Sequence, residues 1–210
     1  MNFNFEAEVK ELTDYSPAGL NMLIYGLPKS GKTTICASAS DKVPTLFIDI
    51  EGGLSSIANK PIKFIPVSLS DKDPLGKLFG IADWLIKEDH PYRLVVIDSL
   101  TQLQWLLMQA TRTSYIGEDK RVKDHADLRD WGINIDEMRR VVTRFRDIHR
   151  DNPQVNVVFT ALEQTLKDDD AGIILRTPQF SGKTLASDLC GLVDTVLYLE
   201  MVKSVDGKGK

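Results

Sequence analysis

Three short stretches of this chain combine residue types that can act on a phosphate ester. The first, GLPKSGKTT, comprises Gly26, Leu27, Pro28, Lys29, Ser30, Gly31, Lys32, Thr33 and Thr34 and fits the pattern G-x-x-x-x-G-K-[ST]. A loop that wraps an anion must turn successive backbone N–H groups inward, and glycines permit that path. The helix that follows aims its positive end at the same charge. In this pattern Lys32 reaches the β- and γ-phosphates and the Thr33 hydroxyl ligates magnesium, so the expected ligands are ATP and Mg²⁺. The competing reading is an ordinary glycine turn.

A magnesium ion also needs a carboxylate. RLVVIDSL supplies Asp98 at the end of an apolar run, where it either orients the ion or caps the next helix. Hydrolysis further needs a group that polarises water. TLFIDIEGG ends with Asp49 and Glu51 ahead of two glycines. Glu51 would then stand at the mouth of the sheet as a general base, or be a solvated loop acid.

These residues need strands that end together. Apolar runs at Leu20–Tyr25, Thr45–Ile50, Ile62–Val67, Leu94–Ile97, Val155–Thr160 and Val193–Leu199 read as strands. Helical spacing appears over Lys32–Ser40, Leu75–Ile86 and Ile133–His149. Continuous apolar strands alternating with helices predict an α/β fold with a mainly parallel sheet covered on both faces. Thr111–Asp130 is polar and reads as a surface loop or a loosely packed helix. Glu163–Lys183, with its central KDDDAG, reads as a projecting hairpin. Trp84 and Trp105 are expected in the core, while Trp131 beside Gly132 is ambiguous.

The chain of 210 residues suits one domain: an extension over 1–19, a core over 20–200, and a tail or incomplete hairpin over 201–210. The net charge of −4 gives no global attraction to nucleic acid or to anionic membranes. Cys36 and Cys190 lack metal-ligand spacing and read as buried free thiols; the three histidines likewise form no metal pattern. With no leader-like N-terminus and no run of 18 apolar residues, the expectation is a cytoplasmic protein without a membrane partner.

In order and interval, GLPKSGKTT, FIDIEGG and VVIDSL resemble the ATPase core of the RecA-like recombinase family, over about Leu20 to Glu200. The resemblance is greatest to the short, core-only RecA-like proteins of bacteriophages, which act as single-strand annealing or recombination ATPases. It implies a three-layer P-loop NTPase with a mainly parallel central sheet flanked by helices. It also implies ATP hydrolysis with Glu51 and Lys32 as catalytic residues, and Mg²⁺ on Thr33 and Asp98. A homo-oligomer or filament on single-stranded DNA, single-strand-binding or replication proteins as partners, and the cytoplasm of a bacterial host follow from it.

By position the family's two DNA-facing loops correspond to Thr111–Asp130, with Arg112, Lys120, Arg121 and Lys123, and to Glu163–Lys183. Lys183 corresponds to a lysine that reaches the neighbouring subunit's nucleotide. The chain departs from the family at Leu162, where a γ-phosphate-sensing glutamine is expected, and Gln164 lies two residues away. FNFEA only approximates the family's oligomerisation motif. Arg139, Arg140, Arg144, Arg146 and Arg150 form a further basic group, to be weighed against ordinary helix-end cations. The alternative function is a nucleotide-gated regulator or loader that binds a protein partner and not DNA. A small-molecule kinase fits poorly, because FIDIE suits water activation and no arginine-rich lid is evident.

Overall fold

The computed structural model describes residues 19–114, 125–168 and 172–202. Most of the extension, the basic residues Lys120, Arg121 and Lys123, and the tail from 203 onward therefore lie outside the described residues.

Seven strands form the sheet: β1 (Asn21–Gly26), β2 (Thr45–Asp49), β3 (Lys63–Pro66), β4 (Leu94–Asp98), β5 (Asn156–Asp168), β6 (Ile173–Pro178) and β7 (Thr195–Leu199). Their order is β3-β2-β4-β5-β1-β7, every pairing on this path being parallel. Every residue of β2 and β4 is buried, which their unbroken apolar runs anticipate for strands covered on both faces. The expected three-layer arrangement is what the chain forms.

One face is covered by α2 (Pro74–Lys87), α3 (Leu100–Ser114), α4 (Leu128–Arg146) and α6 (Leu185–Gly191). The other is covered by α1 (Lys32–Ser38) and a 3-10 turn over Leu54–Ile57. Phe47, Phe145 and Phe159 are fully buried between these layers, each ring worth about 1.5–3 kcal/mol on transfer from water. A short α5 (Ile148–Asp151) leads into β5.

The helices start where their sequences dictate. Asp73 accepts the Gly76 N–H at the head of α2, with Pro74 in the first turn, where its missing N–H costs nothing. Asp127 and Asp130 form a reciprocal capping box at the head of α4, and Met138, Val141, Val142 and Phe145 make its buried stripe.

Two sequence expectations are corrected and one is narrowed. Thr111–Asp130, read as a surface loop or a loosely packed helix, is helical at its ends: Thr111–Ser114 closes α3 and Leu128–Asp130 opens α4, while 115–124 lie outside the described residues. Trp105 is 50% exposed and is not a core residue. It falls between Leu103 and Leu106 on α3 and so points away from the stripe that packs on the sheet. Cys190 is only half-buried, unlike Cys36. Trp84 does pack against the core.

The projecting hairpin is present. β5 runs parallel between β4 and β1 up to Leu162, then continues past them to pair antiparallel with β6, from Glu163 opposite Pro178 to Asp168 opposite Ile173. Among the described residues, no helix is long and apolar enough to cross a membrane.

Candidate functional site

The C-terminal ends of β1, β2, β4 and β5 converge, as expected for ligand sites in parallel α/β sheets. The chain leaves β1 at Gly26, turns through Leu27–Ser30 and enters α1 at Lys32. The turn is held by the Ser30 N–H donating to the Leu27 oxygen at 3.2 Å. Lys29 and Gly31 adopt positive φ, 62° and 95°, and only glycine does so without a side-chain penalty.

Lys32 is 7% exposed and donates to the oxygens of Gly26 (3.0 Å) and Leu27 (2.8 Å), so its ammonium sits inside the loop. Burial lowers its pKa, against the opposing charges of Glu51, Asp98 and Glu163.

Thr33, in the first turn of α1, donates its hydroxyl proton to Asp98 Oδ2 at 2.7 Å. Asp98 ends β4 and is 2% exposed. Its main-chain oxygen accepts the N–H groups of Ile50 and Glu51, at 2.9 and 3.2 Å, so the segment carrying Glu51 hangs from the same residue. Asp49 takes the Gly52 N–H at 2.8 Å and shapes the turn rather than pointing a free carboxylate outward. Gly52 has φ 72°, which favours glycine.

Glu51 opens toward solvent and lines the cavity. Close protein walls still desolvate it in part. That desolvation, followed by the charge of Asp98, raises its carboxyl above the ordinary glutamate range.

Lys32, Thr33 and Glu51 border one cavity of about 510 Å³, lined also by Pro28, Lys29, Gly31, Thr34, Gly53, Ser55, Ser56 and Leu162, with Asp98 behind Thr33. Its size falls in the usual range for small-ligand sites. The pairing of Thr33 with Asp98 offers only oxygen donors, which suits a hard cation that keeps most of its ligands as water and phosphate. Among the described residues, no group of three or more His, Cys, Asp or Glu side chains could hold a metal by itself.

Leu162 lines the cavity where the glutamine was expected. Gln164, farther along the hairpin and outside the cavity lining, donates to the Pro178 oxygen at 3.2 Å. The Leu162 N–H instead bonds the Thr101 hydroxyl at 3.0 Å, and the Gln179 N–H returns to the Leu162 oxygen at 2.7 Å. Gln104 clasps Ser181 through both of its amide atoms, at 2.8 Å each. These bonds fasten α3 to the segment that leaves the hairpin.

Other predicted residues lie elsewhere. Lys183 is exposed on the turn before α6, outside the cavity lining. Arg112 is half-buried at the end of α3 and reaches the Gln109 amide oxygen. The α4 arginines are engaged: Arg139 with Asp188, Arg144 with Asp83, Arg146 with Asp147, and Arg140 over the Phe79 ring. Arg150, beyond α4, also meets Asp147.

Sequence reasoning missed Thr160. Thr160 is fully buried and donates to Asp98 Oδ1. Its signal was a lone hydroxyl closing the otherwise apolar VVFT run.

The crystal structure of the RadB recombinase aligns with this chain at a TM-score of 0.47 and 17% identity, over 87% of this chain and 74% of that one. No curated protein matches the sequence. The profile of the family described as AAA domain matches residues 18–210, a span that includes the phosphate loop, Glu51, Asp98 and the whole sheet. The chain belongs to the AAA domain family.

Proposed function

We propose that this protein is a Mg²⁺-dependent, RecA-like ATPase that assembles on single-stranded DNA in recombination or strand annealing. The observation that carries the nucleotide part is the convergence of Lys32, the Thr33–Asp98 pair and Glu51 on one cavity at the strand ends. In this reading the backbone of residues 26–34 cradles the phosphates, and Lys32 exchanges its two carbonyl partners for phosphate oxygens. Thr33 and Asp98 hold the ion, which would neutralise charge building on the phosphates. Glu51 accepts a proton from the attacking water, and its raised pKa favours that acceptance near neutral pH.

The DNA part rests on the sequence resemblance, on the hairpin of β5 and β6 beyond the site, and on Lys120, Arg121 and Lys123 after α3, which stand among an equal number of acids, Glu118, Asp119 and Asp124. Lys183 of one subunit would reach the nucleotide of the next and make assembly ATP-dependent. The alternative, a nucleotide-gated module for a protein partner, draws on the negative net charge and on α4 arginines already matched by aspartates.

One experiment separates the two. Phosphate release and sedimentation are measured with ATP, magnesium and a long single-stranded oligonucleotide at low and high salt. The recombinase reading expects ATP-dependent, salt-sensitive co-sedimentation, weakened by charge reversal at Lys120 and Arg121 with ATP affinity unchanged. ATP hydrolysis by a particle that stays monomeric and ignores the oligonucleotide favours the partner-binding module.

A further inference from the structure

Asp98 carries two oxygens, and the chain assigns each a separate donor. Oδ2 accepts from Thr33, which belongs to the phosphate loop's helix. Oδ1 accepts from Thr160, which belongs to β5. The last ladder pair between β4 and β5 is Ile97 with Phe159, so Asp98 and Thr160 are the next residues along the two strands. Thr160 is fully buried, and its hydroxyl lies farther from its other acceptor, the Ile97 oxygen, at 3.5 Å. A hydroxyl has one proton to give, and this one goes to the carboxylate.

We propose that Thr160 is a positioning residue for the metal-binding carboxylate. By holding Oδ1, it fixes the rotation of the Asp98 side chain and leaves Oδ2 facing Thr33 and the phosphate loop. A carboxylate with one oxygen unheld is free to rotate about its last bond and to present the wrong lone pair. Outer partners of metal ligands act in this way, and their loss commonly costs about 10- to 100-fold in metal affinity. The assignment rests on the nucleotide-site reading above, and it extends that site to a strand whose contribution to the cavity lining is Leu162. A purely structural role would make Thr160 a core hydroxyl whose loss lowers stability without touching the dependence on metal.

The test titrates MgCl₂ into protein and a fluorescent ATP analogue, following anisotropy, for the wild type, Thr160→Val and Thr160→Ser. Binding in EDTA and the thermal midpoint are recorded for each. Valine keeps the shape and removes the donor; serine keeps the donor and removes a methyl. The Mg²⁺ midpoint should rise about tenfold in Thr160→Val and stay within about twofold of wild type in Thr160→Ser, with binding in EDTA equal in all three. Should the valine variant fail to fold, Thr160→Cys, a weak donor, carries the same expectation. An unchanged midpoint in the donor-deficient variant overturns the proposal, as does a serine variant as impaired as valine. Wild-type protein that does not bind the nucleotide analogue with or without magnesium would instead overturn the nucleotide reading itself.

Discussion

Two regions of this molecule concentrate charge, and they use it in opposite ways. On α4 and just beyond it, five arginines stand on the surface, four of them against the aspartates 83, 147 and 188 and one over Phe79. At the strand ends, Lys32 and Asp98 are withdrawn from water, Glu51 opens toward it, and Lys32 is held by main-chain oxygens, not by a counter-ion. A matched surface pair gains little, because water and salt screen both charges and two long side chains lose freedom. A withdrawn cation held by carbonyls can exchange them for a ligand's oxygens. Arginine density in the sequence therefore marks a solvated face here, whereas one lysine after a glycine lines the cavity at the strand ends.

The contrast breaks most sharply at Lys32. Lys32→Ala should lower ATP affinity by about 100-fold or more and remove hydrolysis while the fold persists, as read by anisotropy and circular dichroism. Wild-type affinity in that variant would reduce the loop to a turn. Next, Glu51→Gln should keep nucleotide binding and slow phosphate release about 100-fold. A loss below threefold would leave Glu51 a loop acid.

The pH profile sharpens the same point. Glu51 acts as a base only when ionised, and its pKa is raised. Wild-type turnover should therefore climb with pH along an acid limb displaced above the ordinary glutamate range, and that limb should vanish in Glu51→Gln. A limb at the unperturbed glutamate position would contradict the desolvated site.

A smaller effect concerns the thiols. Cys36 is buried near Asp98, and burial pushes its pKa up to about 12, whereas Cys190 is half-buried. Only the thiolate attacks, so a maleimide at neutral pH should label Cys190 well before Cys36, as counted by mass spectrometry. Smallest of all, Arg139→Ala with Arg144→Ala should leave ATP affinity within about twofold of wild type. A larger loss would tie α4 to the nucleotide.

The strands, the phosphate loop and the residues after it were legible because each carries a local pattern: an apolar run, a glycine spacing, a terminal acid. The hairpin was legible from its turn residues. The orientation of Trp105 was not, because one residue's shift around α3 turns a core face outward, and apolar identity alone does not fix that phase. Thr160 was not legible either. Its partner lies 62 positions away, and only the register of β5 beside β4 brings the two together.

Gly26 carries a last consequence. Its neighbour across the ladder is Leu199, and a Cβ built at position 26 would lie 2.3 Å from the Leu199 main-chain oxygen. Gly31, by contrast, has open space around its would-be Cβ and is constrained by its φ of 95°. The two glycines of one motif are thus constrained for unrelated reasons. In a library randomised across the loop, position 31 should admit rare survivors such as asparagine, which tolerates that backbone. Position 26 should admit none unless a second change moves the strand of Leu199. A pair of compensating substitutions, absent at one glycine and obligatory at the other, would be the genetic trace of that packing.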